Sequence, residues 1–294
     1  MIGLQVQLVT FNSSFIYATL GVAMQTALFQ GEYPVSQEKI DFFQENGYVQ
    51  FDDVLTDEEV EALRADLAKA TAEKKGFVRD LAGNGDIDKK EKDKILQMLN
   101  LWQNYDNIRQ YVMSRRVAEI ARQLAKSSSI HLFHDQALVK EPGPSAPSPW
   151  HQDQPYWPSK EAGMLSCWMA LDDVTIDRGC MQFVPGSHKW GEFEPIDFGG
   201  APDHLKTMMP PDLLEKWKVV PVELKKGSCT FHHGLTFHYT NANTTDKVRR
   251  AFVTIYIPDG VNFAAEEKMV HPFSDTITSK KGEPLRGTVF PQLV

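Results

Sequence analysis

The spacing of apolar positions changes halfway along the chain. Through residue 124 the apolar positions recur at helical intervals. Residues 35–46 predict one helix, closed by Gly47. Thr56-Asp-Glu-Glu59 is a capping box, because the Thr56 hydroxyl and the Glu59 carboxylate can satisfy each other's orphan amides. Behind it Val60, Leu63, Leu67 and Ala70 fall on one helical face. Residues 76–90 are polar and contain Gly, which predicts a loop, and residues 92–101 and 115–124 predict two further helices.

Beyond residue 129 the apolar runs become short. They cover 130–140, 165–171, 180–184, 219–224, 229–232, 235–240 and 250–257. Turn residues separate them: Pro142-Gly143-Pro144, Asp177-Arg178-Gly179, Pro185-Gly186, Lys226-Gly227 and Pro258-Asp259-Gly260. Many short strands with this punctuation predict a β-sandwich or barrel. Neither an internal repeat nor a long low-complexity linker interrupts the pattern. The expectation is therefore an α+β chain with one domain over 35–294, preceded by an arm or helix over 1–34.

Composition narrows the function. The 294 residues include 42% hydrophobic and 24% charged positions, as in an ordinary soluble globular protein. The net charge of -8 repels phosphate backbones and argues against nucleic acid as a partner. Cys167, Cys180 and Cys229 are widely spaced and odd in number, which suits buried thiols in a reducing cytoplasm. Residues 14–29 are apolar, but no Lys or Arg precedes them, and they are short for a membrane span. They read as an N-terminal helix or arm, with Met24 as an alternative start of the chain.

The first chemical signal is His151-Gln152-Asp153. In an extended segment residues i and i+2 point to one side, so an imidazole and a carboxylate can share a metal. The pair follows the Pro-rich loop 141–149 and sits among Trp150, Tyr156 and Trp157, which predicts a strand start at a pocket mouth. A third ligand belongs on a later strand, where His232, His233 and His238 are the candidates. Two histidines and one carboxylate form the facial triad of non-haem Fe(II) oxygenases, which leaves three positions open for co-substrate and O2. Arg249 lies eleven residues after His238 and offers a fork for a carboxylate, although Arg250 beside it is an equal candidate on residue type. His131, His134, His204 and His271 show no ligand spacing.

At these residues the chain resembles the phytanoyl-CoA dioxygenase family of Fe(II)/2-oxoglutarate-dependent oxygenases. The matching pieces are Phe42-Phe43-Gln-Glu-Asn-Gly47-Tyr48, Trp150-His-Gln-Asp153, Gly179-Cys-Met-Gln-Phe-Val-Pro185-Gly-Ser-His188, and Gly227-Ser-Cys-Thr-Phe231 leading to His238 and Arg249. The resemblance spans about residues 40–257. It implies a double-stranded β-helix (jelly-roll) core with flanking N-terminal helices. It implies iron held by His151, Asp153 and His238, and the distal carboxylate of 2-oxoglutarate held by Arg249 with the Thr240 hydroxyl. Trp168, Gln136 and Gln97 fall at lining positions of the co-substrate pocket; Gln97 departs from the lysine of some members. His188, in its Pro-Gly-Ser-His turn, reads as structural.

The expected reaction is hydroxylation of a small molecule by O2, with release of succinate and CO2. Asp153 favours that outcome, since related halogenases lack the carboxylate. Trp102, Tyr156 and Trp157 predict an aromatic wall for a partly apolar or ring-bearing substrate. A monomer or weak homo-oligomer without membrane contact is expected. Competing readings are a cupin-like metalloenzyme that does not use 2-oxoglutarate, a non-catalytic jelly-roll binding module, and an oxygenase acting on a protein side chain.

Overall fold

The computed structural model describes residues 28–74, 77–81, 95–143, 145–264 and 272–294. The expectations for residues 1–27, most of the 76–90 loop and His271 lie outside the described residues. Helices α1 (Gln37–Asn46), α2 (Asp57–Glu73), α3 (Asp106–Val112) and α4 (Arg115–Leu124) all precede the strand-rich half. The Thr56–Glu59 capping box that starts α2 is present in both directions. Its apolar face is buried as the spacing predicts, with Val60, Leu63, Leu67 and Ala70 inaccessible to water. Truncating Leu63 to Ala would cost about 2–5 kcal/mol.

Strands β1 (Tyr48–Phe51), β2 (Phe77–Asp80), β3 (Ile95–Leu99), β4 (Ile130–Lys140), β6 (Leu165–Ala170), β9 (Cys229–His233) and β11 (Arg249–Pro258) build a seven-stranded sheet in the order β1-β9-β6-β11-β4-β3-β2. Strands β5 (Ser148–His151), β7 (Met181–Phe183), β8 (Val220–Val222) and β10 (His238–Thr240) build a second, four-stranded sheet in the order β5-β10-β7-β8. All pairings are antiparallel. This is the jelly-roll core that the resemblance implies. One face of the large sheet packs on the helices, as Phe252 and Tyr256 share a core with Leu63, Val117 and Ile120. The other face meets the small sheet, as Trp168, Val253 and Ile255 share a core with Met181, Phe183 and Val222. Alternation along β11 thus assigns its even positions to the helices and its odd positions to the space between the sheets.

Two predicted elements are corrected. Residues 95–99 form a strand, not the helix expected over 92–101, and residues 77–80 are a strand within the expected loop. Strand β3 has β2 on one side and β4 on the other, and both its faces are covered: Met98 packs towards the helices, and Gln97 and Leu99 face the inter-sheet cavity. A strand buried on both faces reads as a continuous apolar run, which periodicity cannot separate from a helix. The run at 235–240 is also shorter than predicted; only its last three residues are a strand.

The glycine that closes α1 explains two of the sequence motifs together. Gly47 adopts φ 77° and donates its N–H to Phe43 O at 2.7 Å. A Cβ there would collide with the side chains of His188 and Thr236. The Pro185-Gly-Ser-His188 turn docks on the same helix end, through Gly186 N–H to Asn46 O at 2.9 Å and His188 Nε2 against Gln44 O at 3.1 Å. His188 is therefore structural, as its turn suggests.

Candidate active site

His151 ends β5 and His238 begins β10, and the two are direct cross-strand partners. Their rings lie 4.1 Å apart between centroids. Asp153 is not in the strand, contrary to the extended reading of the motif. Its backbone is helical, at φ -79° and ψ -36°, where a short 3₁₀ turn begins. Gly234 O draws the chain into that turn by accepting Asp153 N–H at 2.9 Å and Gln154 N–H at 3.0 Å. The carboxylate still meets the imidazoles: Asp153 Oδ1 is 3.6 Å from His151 Nε2 and 3.7 Å from His238 Nε2. The motif thus lies at the end of a strand, not at its start.

Each ligand-type ring is held by its other nitrogen. His151 Nδ1 lies 2.7 Å from Pro149 O, and His238 Nδ1 lies 2.9 Å from Thr236 O. A carbonyl only accepts, so both Nδ1 atoms carry the proton and both Nε2 lone pairs face Asp153. Burial, the largest cause, pushes both histidines below the usual imidazole range, so both are neutral donors near pH 7. The remaining oxygen, Asp153 Oδ2, accepts from Ser166 Oγ at 2.9 Å and faces His232 Nε2 at 3.2 Å. Burial raises the pKa of Asp153, but attraction to His238 in its protonated form, the hydrogen bond with His232, and attraction to His232 and His151 when protonated outweigh it, so the carboxyl stays ionised while the two imidazoles are neutral.

These contacts separate the three candidate histidines. His232 supports Asp153 from behind; His233 lies apart, its Nδ1 accepting Leu235 N–H at 3.1 Å. The ligand atoms of His151, Asp153 and His238 all lie within 4.8 Å of one another, and no other group of three or more such residues is found among the described residues. Bonds of about 2.0–2.2 Å from a divalent cation would draw three such atoms slightly together. Two imidazoles and one carboxylate, with fixed tautomers and a satisfied second oxygen, fit an octahedral ion with open positions.

The triad opens into a cavity of about 680 Å3 between the sheets. Arg249, Thr240, Trp168, Gln136 and Gln97 line it, as do Tyr156 and Trp157. Trp102 does not: it packs against the helix-side core, and its backbone N–H donates to Asp135 Oδ2 at 3.2 Å. The turn that follows β3 carries it to that side, so it is no part of the aromatic wall. Phe198 takes up that position, 4.7 Å from the His151 ring and 5.7 Å from Tyr156.

Arg249 is only 1% exposed. It donates to Leu138 O at 3.1 Å and lies 5.5 Å over the Trp168 ring, and its Nε has no hydrogen-bond partner among the described residues. Burial draws its pKa down to about 9. No carboxylate among the described residues pairs with it. Beside it Thr240 Oγ lies 3.1 Å from Ser148 Oγ and accepts from Lys140 Nζ at 2.8 Å. Further along the wall, Arg79 Nε donates to Gln97 Oε1, and Gln97 Nε2 donates to Gln136 Oε1.

Sequence reasoning passed over Lys140, Arg79, Ser166 and the supporting role of His232. Lys140 was legible by counting: Gln136, Leu138 and Lys140 alternate inwards along β4. The others depend on which strands become neighbours, which local pattern does not carry.

A family model described as phytanoyl-CoA dioxygenase (PhyH) matches residues 43–251. The peroxisomal phytanoyl-CoA dioxygenase of Mus musculus is 24% identical over 227 residues, 73% of this chain and 66% of that protein, just under two thirds of its length. Among solved structures, the non-heme alpha ketoglutarate dependent carbocyclase SnoK from nogalamycin biosynthesis is 27% identical, with a TM-score of 0.74 over 90% of this chain and 100% of that one. The epimerase SnoN, in complex with Fe3+, alpha ketoglutarate and nogalamycin RO, is 27% identical with a TM-score of 0.72, over 87% of this chain and 98% of that one. No helix among the described residues is long and apolar enough to cross a membrane.

Proposed function

The chain belongs to the phytanoyl-CoA dioxygenase family, and we propose that it is an Fe(II)- and 2-oxoglutarate-dependent oxygenase that hydroxylates a small molecule. One observation carries this reading: a neutral-donor His-Asp-His triad and a buried guanidinium without a carboxylate partner among the described residues line the same cavity. A cupin-like metalloenzyme or a binding module has no use for that guanidinium. A protein side chain as substrate has no feature in its favour here.

In this reading His151, Asp153 and His238 hold Fe(II). When bound, the metal supplies O2 activation coupled to decarboxylation of 2-oxoglutarate to succinate and CO2. The protein positions and shields. Pro149 O and Thr236 O fix the two imidazoles, and His232 and Ser166 fix the carboxylate. Arg249 and the Thr240 hydroxyl take the distal carboxylate of the co-substrate, while Trp168, Gln136 and Gln97 wall it in. Tyr156, Trp157 and Phe198 face the remaining space and suit an apolar or ring-bearing substrate. The Tyr156 hydroxyl is tied to the backbone of Ile196 at 2.8 Å, so that ring is a wall and not a proton carrier.

Anaerobic titration with Fe(II) and 2-oxoglutarate tests this reading. A weak visible charge-transfer band is expected in the wild type and none in His238→Ala; an unchanged band in the variant would refute the ligand set. The likeness to the carbocyclase SnoK and the epimerase SnoN favours one second reading, ring closure or epimerisation instead of hydroxylation. Turnover of an accepted substrate under 18O2 separates the two, because hydroxylation alone places labelled oxygen in the product.

A further inference from the structure

Behind the inner end of the cavity lies a second buried basic group, Lys140, whose charge is disfavoured by burial and then by Arg249 until an anion offsets it. Lys140 is inaccessible to water, at 0% exposure. Its Nζ donates to Thr240 Oγ at 2.8 Å and to Asn241 O at 2.6 Å. It stands directly opposite Arg249 in the β4–β11 register. Among the described residues no carboxylate pairs with either cation. Two like charges side by side without an anion cost several kcal/mol in a dry interior, so a fold retains them where a ligand supplies the missing charge.

The hydrogen-bond directions say how Lys140 acts. An ammonium only donates, so it occupies a lone pair of the Thr240 oxygen. The Thr240 hydroxyl proton must then point away from Lys140, towards Ser148 Oγ or a ligand in the cavity. Without Lys140 that hydroxyl is free to turn and present its lone pairs to an incoming anion.

We infer that Lys140 is a positioning residue for the co-substrate: it aims the Thr240 hydroxyl at the distal carboxylate of 2-oxoglutarate and, with Arg249, supplies the positive field that holds it. This rests on the reading of Arg249 and Thr240 given above. It also explains why the lysine touches no cavity surface itself. Its charge is felt through one hydroxyl, and Asn243 braces the strand behind it by donating to Lys140 O at 3.4 Å and Glu141 O at 3.1 Å.

The test compares Lys140→Met, Lys140→Arg and Arg249→Met in the Fe(II)-loaded protein, read by the charge-transfer band and by melting temperature. The probes are 2-oxoglutarate and 2-oxobutanoate, which chelates metal alike but has no distal carboxylate. Lys140→Met is expected to weaken 2-oxoglutarate binding about 10–100-fold, the scale of one or two charge-assisted hydrogen bonds, and to leave 2-oxobutanoate binding unchanged. KM for 2-oxoglutarate should rise by the same factor, with kcat at saturating co-substrate nearly unaltered. The apo variant should melt no lower than wild type, because a buried charge has gone, and its gain in melting temperature on adding 2-oxoglutarate should shrink. Lys140→Arg keeps the charge and should recover part of the affinity. Equal loss for both oxoacids, or no loss for either, overturns the role of Lys140. Retention of the preference for 2-oxoglutarate in Arg249→Met overturns instead the reading on which it rests. If Lys140→Met fails to fold, Lys140→Arg and Thr240→Val decide: unchanged 2-oxoglutarate affinity in both refutes the proposal.

Discussion

The two faces of β11 treat neighbouring arginines in opposite ways. On the helix side Arg250 is fully answered. Its Nε donates to Asp172 Oδ2 at 3.0 Å and its terminal nitrogen to Asp172 Oδ1 at 2.8 Å, and Arg64 from α2 joins the same carboxylate at 2.7 Å. Burial raises the pKa of Asp172, but Arg250 and Arg64 overcome it and keep the group ionised. On the cavity side Arg249 and Lys140 have no carboxylate partner among the described residues. Charges satisfied within the chain hold the fold; charges left open describe a ligand. The residue types alone are identical, so only the strand's alternation assigns one arginine to each task.

Exchanging the two arginines' side chains for methionine breaks this contrast most directly. Arg249→Met is expected to lower kcat/KM for 2-oxoglutarate by about 100-fold or more, since two charge-assisted bonds are lost, with little loss of stability. Arg250→Met should do the reverse. It leaves Asp172 with one guanidinium fewer and costs about 1–3 kcal/mol in denaturant unfolding, while the 2-oxoglutarate KM stays within about twofold. If both variants lost affinity and stability alike, the two faces would not be functionally distinct.

The metal end answers the same question with the sign reversed. Asp153 is the anion, and its Oδ2 is engaged by His232 and Ser166, which leaves Oδ1 towards His151 and His238. Removing the support while keeping the ligands, in His232→Leu, is expected to weaken Fe(II) binding about 10–100-fold. Competition against a metal-sensitive dye measures it. Wild-type affinity in this variant would mean that Asp153 needs no brace and that the histidine is simple core.

How much of this was legible in the sequence follows from the range of each interaction. The capping box at Thr56–Glu59, the amphipathic face of α2 and the turn-bounded strands depend on neighbours a few residues away, and they appear as read. The triad was legible because His151 and Asp153 are close in sequence, and the spacing from His238 to Arg249 matched a known pattern. Strand β3 was misread because it is enclosed on both faces, Met98 in the helix-side core and Gln97 and Leu99 towards the inter-sheet cavity, and those coverings come from distant parts of the chain. Trp102 was misplaced because its direction depends on a turn held by Asp135, a residue 33 positions away. Arg249 was named over Arg250 by the resemblance alone; the physical reason, that odd positions of β11 face the cavity, required the sheet itself.

His233 separates a fold-supporting histidine from the metal-site ones. Burial, chiefly, lowers its pKa to about 4, against 6.5 in the unfolded chain. Between those values the unfolded chain takes up a proton that the fold refuses, so stability is full above pH 6.5 and is lost as pH falls towards 4. The span corresponds to about 3 kcal/mol at most. Asn can mimic the Nδ1 acceptor that Leu235 N–H uses. His233→Asn should therefore be slightly less stable at pH 7 and show a shallower loss of stability between pH 6.5 and 4. An unchanged acid profile would assign that loss to other groups.

The smallest effect is expected at the cavity's other cation, and it sets the boundary of the inner anion site. Arg79 also lines the cavity and also lacks a carboxylate among the described residues, so charge alone would group it with Arg249 and Lys140. Its surroundings differ. It is half-buried, its Nε is committed to Gln97, and its guanidinium rests 5.6 Å from the Phe77 ring. Water therefore screens it in a way that it cannot screen the inner pair. Arg79→Met is expected to change the 2-oxoglutarate dissociation constant less than about threefold, because a screened, partly exposed charge contributes under about 1 kcal/mol. A loss as large as that of Lys140→Met would mean that the field holding the co-substrate extends along the whole Arg79–Gln97–Gln136 chain. The inner end of the cavity would then have no special claim to the carboxylate.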